Sequence, residues 1–190
     1  MTRTRTRLSA SALLGAALLL TGCGYNTMQS LDEQINQAQG QIQTQLQRRA
    51  DLVPNLVSTV KGITKQEDTV FISIANARAR LSGAVQARDI EGMATANDQL
   101  SAGLGRLLAI SENYPELRSS ENFKELQDQL EGTENRIAVA RTDYNTAVGQ
   151  FNAYVRRFPY NLTAKVFGLD KPRPYFQAQA GTQEPPKVQF

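Results

Sequence analysis

The feature that most constrains this chain is a repeat of large apolar residues every seven positions over a long stretch without proline. The stretch begins near Ser119 or Ser120, and no proline follows before Pro159. Only packed α-helices use such a period over this length. The sequence therefore predicts one long helix ending at Phe158. Its repeat consists of Phe123, Leu130, Ile137, Tyr144, Phe151 and Phe158.

A second long helix is predicted near the start of the chain. It begins at Ser30, where Ser30 and Glu33 fit a capping box, or slightly earlier at Asn26. Pro54 lies within it and should kink or break it, because proline removes a hydrogen bond and clashes with the carbonyl of Ala50. The seven-residue step here meets Met28, Ile35, Ile42, Arg49, Leu56 and Ile63.

Two shorter helices are predicted between the long ones. Apolar residues recur at steps of three and four over about 66–87 and again over 90–113, with Asp89 as the N-cap of the latter. Gly103-Leu104-Gly105 lies inside the latter helix and has no strand before it. Close helix packing therefore explains these glycines better than a dinucleotide-binding loop does.

The pattern as a whole predicts an all-α fold. We expect an elongated antiparallel bundle over residues 30–168, with two long helices, two shorter ones and a short C-terminal helix from Leu162 to Phe167. Gly168 is its expected C-cap. From Lys171 the prolines indicate an extended or disordered segment, so residues 169–190 are predicted to form a disordered tail.

The first residues have the features of a secretory signal. Arg3, Arg5 and Arg7 precede an apolar run from Leu8 to Leu20, which would span about 20 Å as a helix, short of a membrane core of about 30 Å. Leu20-Thr21-Gly22-Cys23 then resembles a bacterial lipobox. We expect residues 1–22 to be removed, Cys23 to be acylated as the sole membrane attachment, and residues 23–29 to form a lipidated linker.

Removal of the signal changes the charge argument. Without its three arginines, the mature chain has 18 basic and 18 acidic residues, so nucleic-acid binding is not expected. The lipobox predicts attachment on the extracytoplasmic side of a membrane, at its periplasmic face. An Asp directly after the cysteine would resemble the inner-membrane retention signal of Gram-negative lipoproteins. This chain has Gly24 at that position, which favours the outer membrane in a Gram-negative source.

The composition excludes several kinds of catalysis. The chain has no His and one Cys, so it cannot form a Ser-His or Cys-His nucleophile pair, a His-ligated metal site or a zinc finger. An enzyme would have to be an envelope hydrolase or transferase that uses Glu112, Glu121, Glu134 or Asp143. These carboxylates alternate with basic residues as on a solvated helix face, so we expect no catalytic site, no cofactor and no metal.

An internal polar contact is predicted between the two long helices. If they run antiparallel, the motifs Arg48-Arg49-Ala50-Asp51 and Glu134-Asn135-Arg136 meet. Arg49 occupies the apolar stripe, where an unpaired charge would cost several kcal/mol, so Glu134 is its expected partner. Asp51 should lie close to Asn135 or Arg136. These residues are expected to fix the helix register rather than to catalyse a reaction.

Several long motifs resemble those of the LemA family. They are Tyr25-Asn26, QRRADLVPNLVSTVKG (47–62), NARAR (76–80), YPELRSSENFKELQDQLEGTENRIAVARTDYN (114–145), FPYNLTAKVFG (158–168) and the ending PKVQF. The resemblance implies an antiparallel helical bundle, attachment to a membrane at the N-terminus and a role in the cell envelope. The lipobox is a departure, because many relatives resemble proteins anchored by a transmembrane helix.

Two functional classes remain open. The favoured one is a lipid-anchored scaffold or adaptor that binds envelope proteins or organises membrane, and it leaves homo-oligomer formation open. The alternative is the carboxylate-based enzyme. Because the two long helices outrun the shorter pair, we expect a stalk at the membrane end. Tyr160, Leu162, Val166 and Phe167 would lie there as an interfacial contact or as a cap on the stalk.

Overall fold

The computed structural model describes residues 3–62 and 68–177, and side chains from Gly24 onward. Within these ranges the chain forms helices, turns and extended segments and no strand, so the predicted all-α class is confirmed. The helices are α1 (Arg3–Lys61), α2 (Asp68–Ala87), α3 (Ile90–Ser111), α4 (Pro115–Ser119), α5 (Glu121–Arg156) and α6 (Tyr160–Val166).

The chain divides into two compact units. The terminal unit combines Met1–Ala38 with Asn145–Arg173, and the central unit combines Gln39–Tyr144 with Pro174–Phe190. Both units draw residues from α1 and from α5, so neither is one continuous stretch of sequence.

Helix α1 begins earlier than its sequence predicts. Its backbone is helical from Arg3, so neither Asn26 nor Ser30 is the first residue of the helix. No proline precedes Pro54, and the hydrogen-bond ladder continues past the capping-box sequence. A capping box marks the start of a helix only where the residues before it leave helical conformation, and here they do not.

The seven-residue positions of α1 are buried as predicted. Met28, Ile35, Ile42, Arg49 and Leu56 are each at most 5% exposed. The last predicted position, Ile63, lies outside the described residues. The repeat therefore marks the buried side of α1 from Met28 to Leu56.

Helices α2 and α3 form a tight antiparallel hairpin in the central unit. Only Arg88 and Asp89 separate them, and Arg88 adopts a positive φ of 55°. A Cβ at Gly103 would lie 2.9 Å from Cγ1 of Ile74 on α2, so the glycine permits close approach of the two helices. This confirms the packing interpretation of Gly103, and both helices match their predicted ranges to within two residues.

Two glutamines of α1 contact the end of this hairpin. Gln43 Nε2 donates to the carbonyl of Val85 at 3.4 Å, and Gln39 Nε2 donates to that of Arg88 at 3.2 Å. Carbonyls at a helix C-terminus lack partners within their own helix. The Val85 carbonyl also accepts from Arg88 N at 3.2 Å, so Gln43 adds a second donor there, and Gln39 gives the Arg88 carbonyl a donor from α1.

The predicted fourth helix corresponds to α5, and the short helix α4, which the sequence did not predict, precedes it. Pro115 begins the short α4 instead of only ending α3, in the first-turn position that proline tolerates. The long α5 follows Ser120 and ends at Arg156, two residues before the predicted end. Phe158 therefore lies beyond the helix and is 77% exposed, so its predicted place in the buried repeat is wrong. Phe123, Ile137, Tyr144 and Phe151 are buried as predicted, and Leu130 is half-buried.

The short C-terminal helix of the terminal unit is confirmed. Helix α6 ends in a Schellman motif, in which Leu169 N donates to Ala164 O at 2.8 Å and Gly168 N donates to Lys165 O at 3.3 Å. Gly168 has the φ of +70° that this motif requires and is the predicted cap. Thr163 and Ala164 form the buried side of the helix.

The residues after α6 form no regular secondary structure but are attached by hydrogen bonds. In the terminal unit, Asn152 Nδ2 donates to Arg173 O at 3.0 Å, and Arg173 N donates to Asn152 Oδ1 at 2.8 Å. The Arg173 guanidinium lies 2.6 Å from Asp32. The segment around Arg173 is held by these bonds and does not form the predicted disordered tail, and residues 178–190 lie outside the described residues.

The same segment completes the core of the central unit. Tyr144 Oη donates to the carbonyl of Pro174 at 3.0 Å, and Phe176 is 3% exposed. A buried tyrosine hydroxyl needs such a partner, because an unsatisfied polar group in a core is costly. Phe176 is thus a core residue that the sequence did not reveal.

Pro54 lies within α1 without ending it, because another helix supplies the missing donor. Proline has no N–H for the carbonyl of Ala50, four residues before it. Arg78 Nε on α2 donates to that carbonyl at 2.7 Å. The bond crosses from one helix to the next and connects the motif around Pro54 with NARAR. Arg78 therefore replaces the hydrogen bond that proline removes.

Because Arg78 provides the donor that Pro54 lacks, the effects of changing these two residues on stability should be coupled. Arg78→Met should lower the free energy of unfolding by about 1–3 kcal/mol, because the Ala50 carbonyl loses its donor in a partly buried place. In a Pro54→Ala background the cost should shrink, since residue 54 then donates to Ala50 itself. Urea denaturation followed by circular dichroism measures the four variants of the cycle. Arg80→Met is the matched control, because the exposed Arg80 on the same helix bonds the exposed side chain of Gln99 rather than a backbone carbonyl. Equal costs of Arg78→Met in both backgrounds would contradict this account.

A second prediction concerns the attachment of the segment around Arg173. Asn152→Ala should speed hydrogen exchange of the Arg173 amide, because Asn152 Oδ1 is the acceptor of that N–H. Asp32→Ala should change the exchange little, since the exposed pair contributes at most about 1 kcal/mol. Gln150→Ala is the control on the same helix. Unchanged protection of Arg173 in the Asn152 variant would show that other contacts hold the segment.

Candidate functional site

A charged side chain lies in the core of the central unit. Arg49 is 5% exposed and lies on the buried side of α1. Its Nη1 lies 2.5 Å from Oε2 of Glu134 on α5 and 2.6 Å from Oδ1 of Asn97 on α3. The ion pair expected from the antiparallel register is present. One guanidinium nitrogen thus connects three helices.

The electrostatics of this cluster are asymmetric. Burial lowers the pKa of the Arg49 guanidinium from its ordinary value, and the negative charges of Glu134 and Asp98 act in the opposite direction. The side chain of Arg49 is 6% exposed, whereas that of Glu134 is 48% exposed. Water can therefore solvate the carboxylate but not the guanidinium. Arg49 therefore depends on the ion pair more than Glu134 does, whereas Asn97, which is 5% exposed, is as buried as Arg49 and needs this partner in turn.

Asn97 is the member of the cluster that the sequence analysis missed. It lies in a row of α3 residues spaced alternately by three and four, all buried: Ile90, Met93, Asn97, Leu100, Leu104, Leu107 and Ser111. A polar residue within such a row is itself the available signal, because a buried amide must bond a partner on another helix. Asn97 accepts the bond from Arg49 in this way.

The other two predicted members of the polar contact lie on the surface. Asp51 accepts a hydrogen bond from Gln47 Nε2 at 2.9 Å on its own helix. Arg136 lines an open groove between α1 and α5 together with Gln41 and Thr44. In the described part of the chain, no hydrogen bond or ion pair is seen between Asp51 and Asn135 or Arg136. A residue two positions from Arg49 projects to the other side of a helix, which separates Asp51 from the core pair.

The four carboxylates of the enzyme alternative are not gathered in one cleft. Asp143 lines the groove of about 430 Å³ that also contains Arg136. Glu134 belongs to the core ion pair, and Glu112 and Glu121 are exposed at the C-cap of α3 and the first turn of α5. Among the described residues, no group of three or more Cys, Asp or Glu is placed to hold a metal ion. The arrangement offers these carboxylates no shared substrate position.

The N-terminal site residue is placed only by its backbone. Cys23 lies in the helical backbone of α1, and its side chain is outside the described residues. Its acylation stays a prediction. Over the stretch that the structure describes, no helix contains a segment long and apolar enough to span a membrane.

The terminal unit carries a concentrated apolar surface, which we call the α6 face. It consists of Phe158, Leu162, Val166 and Phe167, which are between 53% and 80% exposed. Among the described residues, two other large apolar side chains are at least 53% exposed, Ile72 and Val139, and Tyr175 is 41% exposed. Contiguous exposed apolar surface commonly marks an interaction site. The α6 face is the second candidate site of the molecule.

The core cluster generates a stability prediction. Glu134→Ala should lower the free energy of unfolding by between about 1 kcal/mol, the upper limit for exposed pairs, and about 3 kcal/mol, the lower limit for buried ones. The intermediate value follows from one buried and one half-exposed partner. Thermal or urea unfolding measures it. Glu131→Ala, at an exposed position one turn earlier on α5, should change stability by no more than about 0.5 kcal/mol.

The double variant tests the coupling directly. Combining Arg49→Met with Glu134→Ala should cost less than the sum of the two single changes, because neither charge is then left without its partner. Additive costs would show that the pair contributes no coupling energy.

The comparisons with known proteins agree with this fold. The chain is 27% identical over 184 residues to magnetosome proteins MamQ 1 and MamQ 2 of Paramagnetospirillum magneticum, covering 85% of this chain and 67% of each relative. It is 22% identical over 180 residues to magnetosome protein MamQ of Magnetospirillum gryphiswaldense, covering 83% and 66%. The model of the LemA family matches residues 38–190, which include α2 to α6, the core cluster and the α6 face. This chain therefore belongs to the LemA family.

Proposed function

We propose that this protein is a lipid-anchored, non-enzymatic helical scaffold or adaptor of the cell envelope. The observation that carries the proposal is that the buried charge of Arg49 holds helices together. Arg49 joins α1, α3 and α5 through its contacts with Glu134 and Asn97. An acid–base enzyme needs its charged groups at a site that substrate can reach, whereas a scaffold needs them to hold its helices in register.

The lipobox supports anchoring by acyl chains. Cleavage after residue 22 leaves Cys23 as the first residue, with 23–29 as the lipidated segment ahead of the family domain. Two or more acyl chains hold a protein stably on a membrane, whereas one chain alone is marginal. The signal directs the chain to the extracytoplasmic side, and Gly24 after the cysteine favours the outer membrane in a Gram-negative cell.

The relatives support a role in a larger assembly. Those proteins are named as magnetosome proteins, that is, as components of a cellular structure, and their names state no reaction. For this chain we infer a role of the same general kind, in which the bundle holds envelope proteins or membrane in place. Its partners are envelope proteins, and assembly with further copies of itself is one form of the proposal.

Acylation is tested at the only cysteine. Cys23→Ser should abolish incorporation of radiolabelled palmitate, because the thiolate is the acceptor that acyl transfer needs. Asn26→Ala, at an exposed position of the same helix, should keep full labelling. Label in the serine variant, or a mature protein that still contains Arg3, Arg5 and Arg7, would contradict lipid anchoring.

The scaffold role is tested in intact membranes. Chemical crosslinking followed by mass spectrometry should recover a reproducible set of envelope proteins with the wild-type chain, and the set should be lost from the unanchored Cys23→Ser chain. The groove variant Asp143→Asn should leave the set unchanged. Turnover of an envelope substrate by the purified protein, lost in that variant, would favour the enzyme alternative instead.

A further inference from the structure

We propose that the α6 face binds the surface of an anionic lipid bilayer and forms a membrane contact separate from the acylated cysteine. This contact goes beyond the proposed scaffold function. It also revises the expectation that Cys23 is the sole attachment. Of the two roles that the sequence left open for this region, the structure favours the interfacial contact over the cap.

The first argument is the two-sided character of α6. Leu162 and Val166 lie one turn apart and are 57% and 80% exposed, with the exposed Lys165 beside them. Thr163 and Ala164, on the opposite side, are buried against the terminal unit. A cap would bury its apolar residues, whereas here the apolar side faces outward. Outward apolar residues next to a lysine are the arrangement of a helix that lies in a membrane interface.

The second argument is the position of α6 relative to the start of the mature chain. The rings of Tyr25 and Phe167 lie 4.5 Å apart, centroid to centroid. A Cβ at Gly24 would lie 2.6 Å from Cδ1 of Tyr160, so this glycine allows the helix to approach. These contacts hold α6 against the residues that directly follow Cys23. Any lipid attached at or before residue 23 therefore brings the α6 face to the bilayer.

The third argument is charge. Between residues 156 and 171 the terminal unit has four exposed basic residues and one exposed acidic residue: Arg156, Arg157, Lys165, Lys171 and Asp170. The mature chain as a whole is neutral, so this excess is local. Basic residues beside apolar ones fit the headgroups and acyl region of an anionic leaflet. They fit a second copy of the same basic surface poorly, because like charges repel.

Fluorescence provides a direct test, because the chain contains no tryptophan. The full-length Val166→Trp protein is isolated from membranes and reconstituted in phosphatidylglycerol–phosphatidylethanolamine vesicles with brominated acyl chains. Val139→Trp is the matched control, since Val139 is 61% exposed and lies in the central unit. We expect a blue-shifted emission and quenching by bromine for the Val166 variant and neither for the Val139 variant. Leu162→Trp repeats the test one turn away.

The charge argument has its own measurement. In the Val166→Trp background, Lys165→Gln should lower the ratio of docked to free α6 face about fivefold, as expected for removal of one basic residue at an anionic surface. Replacing phosphatidylglycerol with phosphatidylcholine should lower it further. Circular dichroism shows that the variants keep their helix content. Equal quenching in neutral and anionic vesicles would overturn the anionic specificity.

Three results would overturn the proposal itself. Absence of both the blue shift and the bromine quenching from Val166→Trp and Leu162→Trp shows that the face stays in water. A blue shift without quenching shows that protein, not lipid, covers the α6 face. If deletion of residues 178–190 removes the shift, the covering segment is the tail. If the shift depends on protein concentration, a second copy of the chain covers the face. The palmitate experiment is independent, so failure of acylation and failure of the α6 contact are distinguishable.

Discussion

The hydrogen bond from Arg78 to the Ala50 carbonyl is the interaction on which much of the central unit depends. Pro54 takes a donor out of α1 where this helix must remain intact to carry Arg49 on one side of the proline and Leu56 and Val60 on the other. A bare carbonyl in the partly buried interface would favour local opening of the helix. Because α2 supplies the donor, α1 is stabilised at Pro54 only while α2 is packed against it.

Arg49 connects α1 to the remaining main helices of the central unit. It lies one residue before Ala50, so the bond that preserves α1 also fixes where the guanidinium enters the core. There it meets α3 through Asn97 and α5 through Glu134. Apolar packing alone tolerates sliding of one helix along another, whereas a buried cation with two acceptors does not. The two neighbouring residues thus set the alignment of all four main helices of the central unit.

Sequence periodicity predicted the helices and the core of this fold, and it predicted less about the helix ends and the nonlocal contacts. The seven-residue repeat identified Ile42, Arg49, Ile137 and Tyr144 as inward-facing, and antiparallel counting found Glu134 as the partner of Arg49. Periodicity fixes rotation about a helix axis well, which is why those positions agree with the structure. It fixes the end of a helix poorly, because continuation and capping differ by little free energy, and α1 and Phe158 show the two resulting errors.

The contacts missed by the sequence analysis share a physical cause. Asn97, Phe176 and the Arg78 bond each join segments that no local pattern relates, and their partners follow only from tertiary packing. Asn97 did carry a signal as a polar residue in an apolar row. Phe176 carried none, since it follows two prolines in a segment that reads as tail. The exposed side of α6 was recognisable as apolar from sequence, but only the structure shows that this side is outward.

The burial of Phe176 has a consequence for the order in which the chain matures. Tyr144 reaches its acceptor at Pro174, and the core gains Phe176, only after the chain has been synthesised past residue 176. Until then, the site that Phe176 fills in the core of the central unit stays open. A chain that ends early keeps that site open, which is a state that proteases and chaperones distinguish from the finished one. Residues 174–176 thus complete the core of the central unit late in synthesis.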